Sequence, residues 1–294
     1  MTTYFRLGLA CLALFATASH AAITVHDDLG LVVTLAKPAQ RIISLSPHVT
    51  ELLFAVGGGS RIVGTMSYSD YPEAAKQIPL VGSNSQIDME KLLSLKPDLL
   101  IVWQSGNTAR QLEQLSHLGI PIFNSEPKKL DEVATSLTRF GQLLGTEPAA
   151  QVAAQAYRAK LALLATQYSK RAPVRVFYQI WDKPIYTLSG SHIVNDAITL
   201  CGGENVFASQ KIIAPSVSAE AVLQENPEAI IGGNQYDPAD AGINIWKPFK
   251  TMLAVKQGNL FTVGGESLTR AGPRMADGAR SLCEKIDTAR QRRK

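Results

Sequence analysis

The histidines and serines are the first residues to weigh for chemistry, and their spacing argues against most of it. Beyond the first 21 residues the histidines are His26, His48, His117 and His192, scattered along the chain. None has the partner spacing of a zinc site. Ser46-Pro47-His48 has the makings of a nucleophile beside a base, but a serine directly before a helix-opening proline is ordinarily an N-cap. Gly57-Gly58-Gly59-Ser60-Arg61 lacks the Gly-Lys-Ser/Thr ending of a phosphate-binding loop, and no Gly-x-Ser-x-Gly elbow occurs. The pattern argues for binding and against catalysis.

Aromatic side chains are better placed for binding. Tyr68, Tyr71, Trp103, Trp181 and Tyr186 fall at or just beyond the ends of segments that read as strands, and Arg270 follows another such segment near Val263. In doubly wound sheets the loops beyond the strand carboxyl ends line the ligand crevice. Together these residues predict a cleft for a large, flat or bulky ligand, although each ring taken singly reads equally well as ordinary packing.

A second constellation is a repeat. Met89-Glu90-Lys91-Leu92-Leu93 leads to Lys96-Pro97-Asp98-Leu99, and Ala219-Glu220-Ala221-Val222-Leu223 leads to Asn226-Pro227-Glu228-Ala229, at an offset of 130 residues. Each copy reads as a short helix with an exposed glutamate, then proline and an acid, then a buried strand. The repeat predicts two similar lobes, each carrying a matched acidic knob, with Glu90 and Glu220 in equivalent places.

The elements that must position these residues alternate between strand and helix. Residues 23–25 and 31–35 flank turn residues and predict a short hairpin. From Arg41 onward strands at 41–46, 62–66, 99–103 and 120–124 are separated by amphipathic segments, and the second half repeats the plan with strands at 174–180, 229–231 and 260–263. Alternation of this kind predicts mostly parallel sheets covered by helices. Between the halves, residues 147–171 are rich in Ala, Gln, Leu and Lys and contain no glycine, which predicts one helix. At 1.5 Å per residue it would extend about 35 Å, enough to join two lobes as a stiff spine.

Composition narrows the setting. Arg6 precedes an apolar run at residues 7–18, too short to span a bilayer, that ends in Ser19-His20-Ala21, the pattern of a secretory signal peptide cut after Ala21. Cys11 lies inside that run, but Gly8-Leu9-Ala10 is a poor lipoprotein motif, so a lipid anchor is not expected. The remaining pair, Cys201 and Cys283, suggests one disulfide in an oxidising compartment, with two buried thiols as the alternative. Removing Arg6 and the C-terminal Arg290, Arg292, Arg293 and Lys294 from the formal +4 leaves −1 for the body, which gives no footprint for nucleic acid. The basic end reads as a solvated, frayed tail.

Several blocks together resemble a known family. They are Arg41-Ile42-Ile43-Ser44-Leu45-Ser46-Pro47 with Thr50-Glu51-Leu52; Tyr68-Ser69-Asp70-Tyr71-Pro72; Leu95-Lys96-Pro97-Asp98-Leu99; Cys201-Gly202-Gly203-Glu204-Asn205-Val206-Phe207; Ala254-Val255-Lys256 before Gly258-Asn259-Leu260; and Arg270-Ala271-Gly272-Pro273-Arg274. The chain is similar, over essentially its whole mature length, to the substrate-binding proteins of cobalamin and ferric-siderophore ABC importers.

The resemblance implies an α/β fold of two Rossmann-like lobes joined by a single long α-helix, the helical-backbone periplasmic binding protein fold. Its parts would be a signal peptide at 1–21, an N-terminal lobe at 22–146, a linking helix at 147–171, a C-terminal lobe at 172–290 and a basic tail at 291–294. It further implies a monomeric periplasmic protein that is no enzyme and has no cofactor of its own. Cobalamin would be the transported ligand, held in the cleft and delivered to an ABC importer permease dimer. Tyr68, Trp103, Trp181, Tyr186 and the stretch Glu266, Ser267, Leu268, Thr269 and Arg270 would contact the ligand. Glu90 and Glu220 would dock on permease arginines, and Cys201 and Cys283 would form the family's disulfide. Asn84, Ala214 and Ser267 stand where large aromatics are expected around a corrinoid, and Trp181 is an additional indole. Haem or a ferric siderophore is therefore the alternative ligand, and a secreted α/β enzyme the remote alternative.

Overall fold

Along the strands, buried side chains alternate between two hydrophobic layers, as a period of two requires when both sheet faces are covered. Ile42 falls in one core and Ile43 in another, and Leu99 and Ile101 part from Leu100 and Val102 in the same way. In the second half Val174, Val176, Tyr178 and Ile231 face one layer while Phe177 and Ile230 face the other. The computed structural model that shows this describes residues 22–234 and 242–293. The expected signal peptide and Lys294 lie outside the described residues.

After the antiparallel hairpin of β1 (Ile23–His26) and β2 (Val32–Leu35), the first lobe holds β3 (Ile42–Ser44), α1 (Pro47–Ala55), β4 (Ile62–Met66), β5 (Leu80–Gly82), α2 (Met89–Ser94), β6 (Leu99–Val102), α3 (Ala109–Ser116), β7 (Ile122–Asn124) and α4 (Leu130–Leu144). Its five strands are parallel, in the order β5-β4-β3-β6-β7. The second lobe holds β8 (Val174–Asp182), β9 (Ile185–Thr187), α6 (Ile193–Leu200), β10 (Gly203–Asn205), α7 (Ala219–Glu225), β11 (Ala229–Asn234), α8 (Leu253–Lys256), β12 (Leu260–Gly264), α9 (Gly265–Thr269) and α10 (Met275–Gln291). Its parallel strands run β10-β8-β11-β12, and β9 folds back antiparallel on β8. The repeat at offset 130 persists into the backbone. α2 and α7 are each followed, at equivalent places, by a residue with positive φ, Lys96 at 47° and Asn226 at 43°. The following acids make the same backbone bond, Asp98 N–H to Arg41 O and Glu228 N–H to Arg175 O, both at 2.9 Å or less.

Between the lobes runs α5 (Glu147–Tyr168). It stops short of Arg171, whose guanidinium donates back to the Gln167 carbonyl, and Pro173 bars continuation. Its buried face packs on α4 and α10. Gly141 of α4 is required at that contact, because a Cβ there would lie 2.3 Å from the Ala150 Cβ. Fork-like pairing of Arg158 with Asp131 at 2.6 and 3.1 Å ties the helix to α4, and Lys160 to Asp277 at 2.9 Å ties it to α10. A single hydrophobic cluster includes Leu53 and Phe140 of the first lobe, Tyr157 and Leu164 of α5, and Ile198 and Leu282 of the second.

The basic C-terminus differs from expectation: its described arginines are bound, not frayed. Arg290 donates to the carbonyls of Ala172, Cys201 and Gly202 at 2.7, 3.0 and 3.2 Å. Arg292 reaches the Gly258 carbonyl at 2.6 Å, and Arg293 pairs with Glu228 at 2.7 Å and donates to the Pro173 carbonyl. Carbonyls left over at the end of α6 are natural acceptors for such side chains.

Cys201 and Cys283 form a disulfide that joins α6's C-cap to α10 across 82 residues of sequence. On loop-closure entropy a Cys201→Ala/Cys283→Ala variant should lose about 4.5 kcal/mol. Urea unfolding of the oxidised and variant proteins measures the difference.

Candidate functional site

Side chains beyond the carboxyl ends of the parallel strands of both sheets converge on one cavity of about 820 Å³. Ser46 and His48 open α1 after β3, Tyr68 and Asp70 follow β4, and Trp103 follows β6. From the second lobe Trp181 and Tyr186 come from the β8–β9 hairpin, His192 caps α6, and Glu266, Thr269 and Arg270 come from α9 and its end. The cavity therefore has one wall from each lobe.

Of the residues singled out from the sequence, the structure brings Tyr68, Trp103, Trp181, Tyr186, Glu266, Thr269 and Arg270 onto this cavity. Leu268 turns away into the hydrophobic core, and the Ser267 hydroxyl donates to the Gly264 carbonyl at 2.9 Å, so neither lines the wall. Asn84 and Ala214, two of the three positions without the expected aromatic, do line it. Tyr68 is 58% exposed and sits at φ 68°, a left-handed conformation that costs an aromatic residue of the order of 1 kcal/mol. Trp103 is held rigidly. Its ring packs on Gly106, where an added Cβ would fall 1.8 Å from an indole carbon, and its backbone N–H donates to Asn107 at 2.9 Å.

His48 shows why the serine–histidine pair has a different role from the one either sequence reading assigned. Ser46 stands at the N-cap with extended backbone, but its hydroxyl makes no capping bond. It meets His48 Nδ1 at 2.6 Å, and His48 Nε2 meets the Ser125 hydroxyl at 3.1 Å. Trp103 stands edge-on to the imidazole with centroids 5.6 Å apart. Among the described residues no carboxylate orients the ring, and burial, followed by the Arg270 charge, lowers its pKa to about 3. The imidazole is a neutral strut between the N-cap of α1, the residue after β7 and Trp103, and a poor base.

The charged groups at the site were only partly legible. Glu51 of α1 is buried, and it accepts a fork from Arg274 of the second lobe, with Nε at 3.0 Å and Nη2 at 2.6 Å. The same Arg274 guanidinium lies 4.2 Å over the Tyr71 ring. Arg270 Nη1 is 3.5 Å from Glu51 and 2.8 Å from Asp70, and Nη2 is 3.2 Å from Glu266. Burial pushes the Asp70 carboxyl up, but the Arg270 hydrogen bond and charge outweigh it and hold the group below its ordinary value. Two arginines thus face three carboxylates. Glu51 and Arg274 were present in the quoted blocks, yet 223 residues separate them, and nothing in their spacing announces the pair.

Away from the cavity, Glu90 and Glu220 occupy the second position of α2 and α7, and both side chains are exposed. Each helix is capped alike: Asp88 accepts the Lys91 N–H at 2.9 Å and Ser218 the Ala221 N–H at 3.2 Å. Among the described residues no cluster of His, Cys, Asp and Glu could hold a metal ion, and no helix is long and apolar enough to cross a membrane.

Comparison with known proteins places these features. The sequence matches the periplasmic binding protein family across residues 42–266. It is 37% identical over 255 residues to the vitamin B12-binding protein of Vibrio cholerae serotype O1, covering 86% of this chain and 91% of that one. The vitamin B12-binding protein of Yersinia pestis is 37% identical over 251 residues, 85% of this chain and 88% of its own. The crystal structure of the periplasmic vitamin B12 binding protein BtuF of Vibrio cholerae matches with a TM-score of 0.80 at 37% identity, over 86% of this chain and 99% of that chain. A periplasmic heme binding protein from Pseudomonas aeruginosa shares the fold, with a TM-score of 0.73 at 24% identity over 84% of this chain and 92% of its own.

Burial holds the His48 pKa at about 3 and that of His192 at about 4, both below the ordinary 6.5. Unfolding frees both rings to take protons, so their share of stability is complete above about pH 6.5 and is lost as pH falls toward those values. The slope is about 1.4 kcal/mol per pH unit for each ring. His48→Gln should remove about half of it between roughly pH 6.5 and 4.5, measured by urea midpoints against pH.

Proposed function

The chain belongs to the periplasmic binding protein family, and from that premise we propose that it captures cobalamin in the inter-lobe cavity and delivers it to an ABC importer. The observation that carries the choice of ligand is the charge at the site. Arg270, less exposed than Lys128, the other cation on the cavity wall, is already met by Glu51, Asp70 and Glu266. A haem with two propionates, or an anionic ferric chelate, would gain little from an arginine so occupied and would face surplus negative charge. Cobalamin carries uncharged amides around its ring, and the aromatic planes of Tyr68, Trp103, Trp181 and Tyr186 offer it apolar surface from both lobes.

No chemical step is assigned to the protein. The Ser46–His48 pair is buried, oriented by no carboxylate among the described residues and held neutral, so it supplies neither an exposed nucleophile nor a base. In this reading the signal segment is removed after Ala21 and the mature chain works as a periplasmic monomer. Glu90 and Glu220 meet arginines on the two halves of a permease dimer, one per lobe. Carboxylate and guanidinium pair in a fork of defined geometry, and two such pairs on equivalent helices fix the orientation of the docked protein.

Absorbance after mixing with cyanocobalamin and desalting should show a co-eluting corrinoid, and Trp103→Ala should weaken binding about tenfold, the loss of one aromatic contact. Retention of haem or a ferric chelate with no corrinoid retained refutes the ligand assignment. Glu90→Ala with Glu220→Ala should leave cobalamin affinity unchanged while abolishing stable association with the permease in a pull-down. Equal loss of both would refute the docking role.

A further inference from the structure

Two histidines line the cavity, and they differ in what they can offer a ligand. His48 has both ring nitrogens engaged by hydroxyls, Ser46 at 2.6 Å and Ser125 at 3.1 Å. His192 has one engaged. It occupies the N-cap of α6, and its Nδ1 accepts the Val194 N–H at 3.2 Å, the place usually taken by a hydroxyl or carboxylate oxygen. A ring nitrogen that accepts a hydrogen bond bears no proton, so the neutral ring carries its proton on Nε2. Burial keeps that ring neutral by lowering its pKa to about 4. No hydrogen bond to Nε2 is found among the described residues, and the residue lies on the cavity wall between Ser191 and Ile193.

We propose that His192 is a specificity residue whose Nε2–H is a fixed donor for a hydrogen-bond acceptor on the ligand edge, an amide carbonyl of the corrinoid, and that it does not ligate the metal. The assignment rests on the corrinoid reading of the site. Metal ligation needs the lone pair on Nε2, which would move the proton to Nδ1 and set it against the Val194 N–H, donor against donor. Freeing the cap to avoid this leaves the first turn of α6 with an unpaired N–H. The backbone therefore selects one tautomer, and that tautomer reads acceptors only. A ligand that brings its own axial groups and a rim of amides meets this condition, whereas one that seeks a histidine for its metal does not.

Two measurements test the assignment. Serine at this position keeps a cap for α6 but is too short to reach the ligand, so His192→Ser should unfold at the wild-type temperature and bind cyanocobalamin about three- to tenfold more weakly by calorimetry. With aquocobalamin, whose cobalt has an exchangeable site, 15N spectra of histidine-labelled protein should show Nε2 protonated before and after binding, with no change in the corrin visible bands. Unchanged affinity in His192→Ser overturns the donor role. A band shift on binding that disappears in His192→Ser establishes ligation and overturns the tautomer argument. Wild-type protein that retains no corrinoid overturns the reading of the site itself, and is told apart because the tautomer of the unliganded protein is measured separately.

Discussion

A carboxylate removed from water must be matched by a cation and hydrogen bonds in good geometry, or it destabilises the fold by several kcal/mol. Glu51 meets that requirement only by drawing Arg274 and Arg270 across from the other lobe. The fork to Arg274 has a fixed distance and plane, so it sets the separation of α1 from the start of α10. Gly272 completes the approach, since a Cβ there would come to 3.3 Å from the Glu51 carboxylate. Cavity width and the position of Arg270 follow from this one buried acid. Such a pair contributes less to net stability than to geometry, because removing either partner is costly while its formation barely offsets desolvation.

The spine acts in the same direction. A helix of 22 residues tied by ion pairs to α4 and α10 would still permit rocking if the lobes had separate cores. They do not: one hydrophobic cluster runs through α1, α4, α5, α6 and α10. Opening the cavity widely would have to break close-packed contacts in that layer as well as the Glu51 pairs and the bond from Leu130 N–H to Asp196 at 2.9 Å. The outer layers beneath α2 and α7 are separate clusters, so the exposed glutamates ride on parts of each lobe that do not share this constraint.

How much of this is legible in the sequence depends on the range of the interaction. The offset of 130 between Glu90 and Glu220 records a contiguous unit of helix, proline with acid, and apolar strand, whereas the positive φ at Lys96 and Asn226 shows only in the structure. The linking helix is likewise a matter of propensity, and the aromatics were placed because loops after parallel strands must face the crevice. What the sequence could not show is set by partners far apart. The Glu51–Arg274 fork spans 223 residues, and Arg293 finds Glu228 across 65. Charge count alone made the C-terminal arginines a loose tail, although they bond carbonyls that the fold leaves exposed. Ser46 was misread at short range for a different reason: its position is that of a cap, but His48 competes for the hydroxyl and wins at 2.6 Å.

The same division of range explains why the cavity departs most from expectation where the fold departs least. Asn84 and Ala214 line its wall where the resemblance implied large rings; Asn84 is exposed and lies in no strand, while Ala214 is partly buried against the core. Trp181 adds an indole on the opposite side, 48% exposed and tethered through its Nε1–H to the Lys183 carbonyl at 3.1 Å. Exposed aromatic surface lies at the rim, while Asp70, Glu266 and Arg270 on the wall are bound to the frame through the buried Glu51. Rim aromatics are non-directional and tolerate different edges of a flat ligand. The charged cluster is directional and satisfied internally, so on the proposed reading it limits the charge a ligand can carry. On the proposed reading, selection by charge is built into the interaction that holds the lobes together, and selection by shape is left to the exposed rings of the rim.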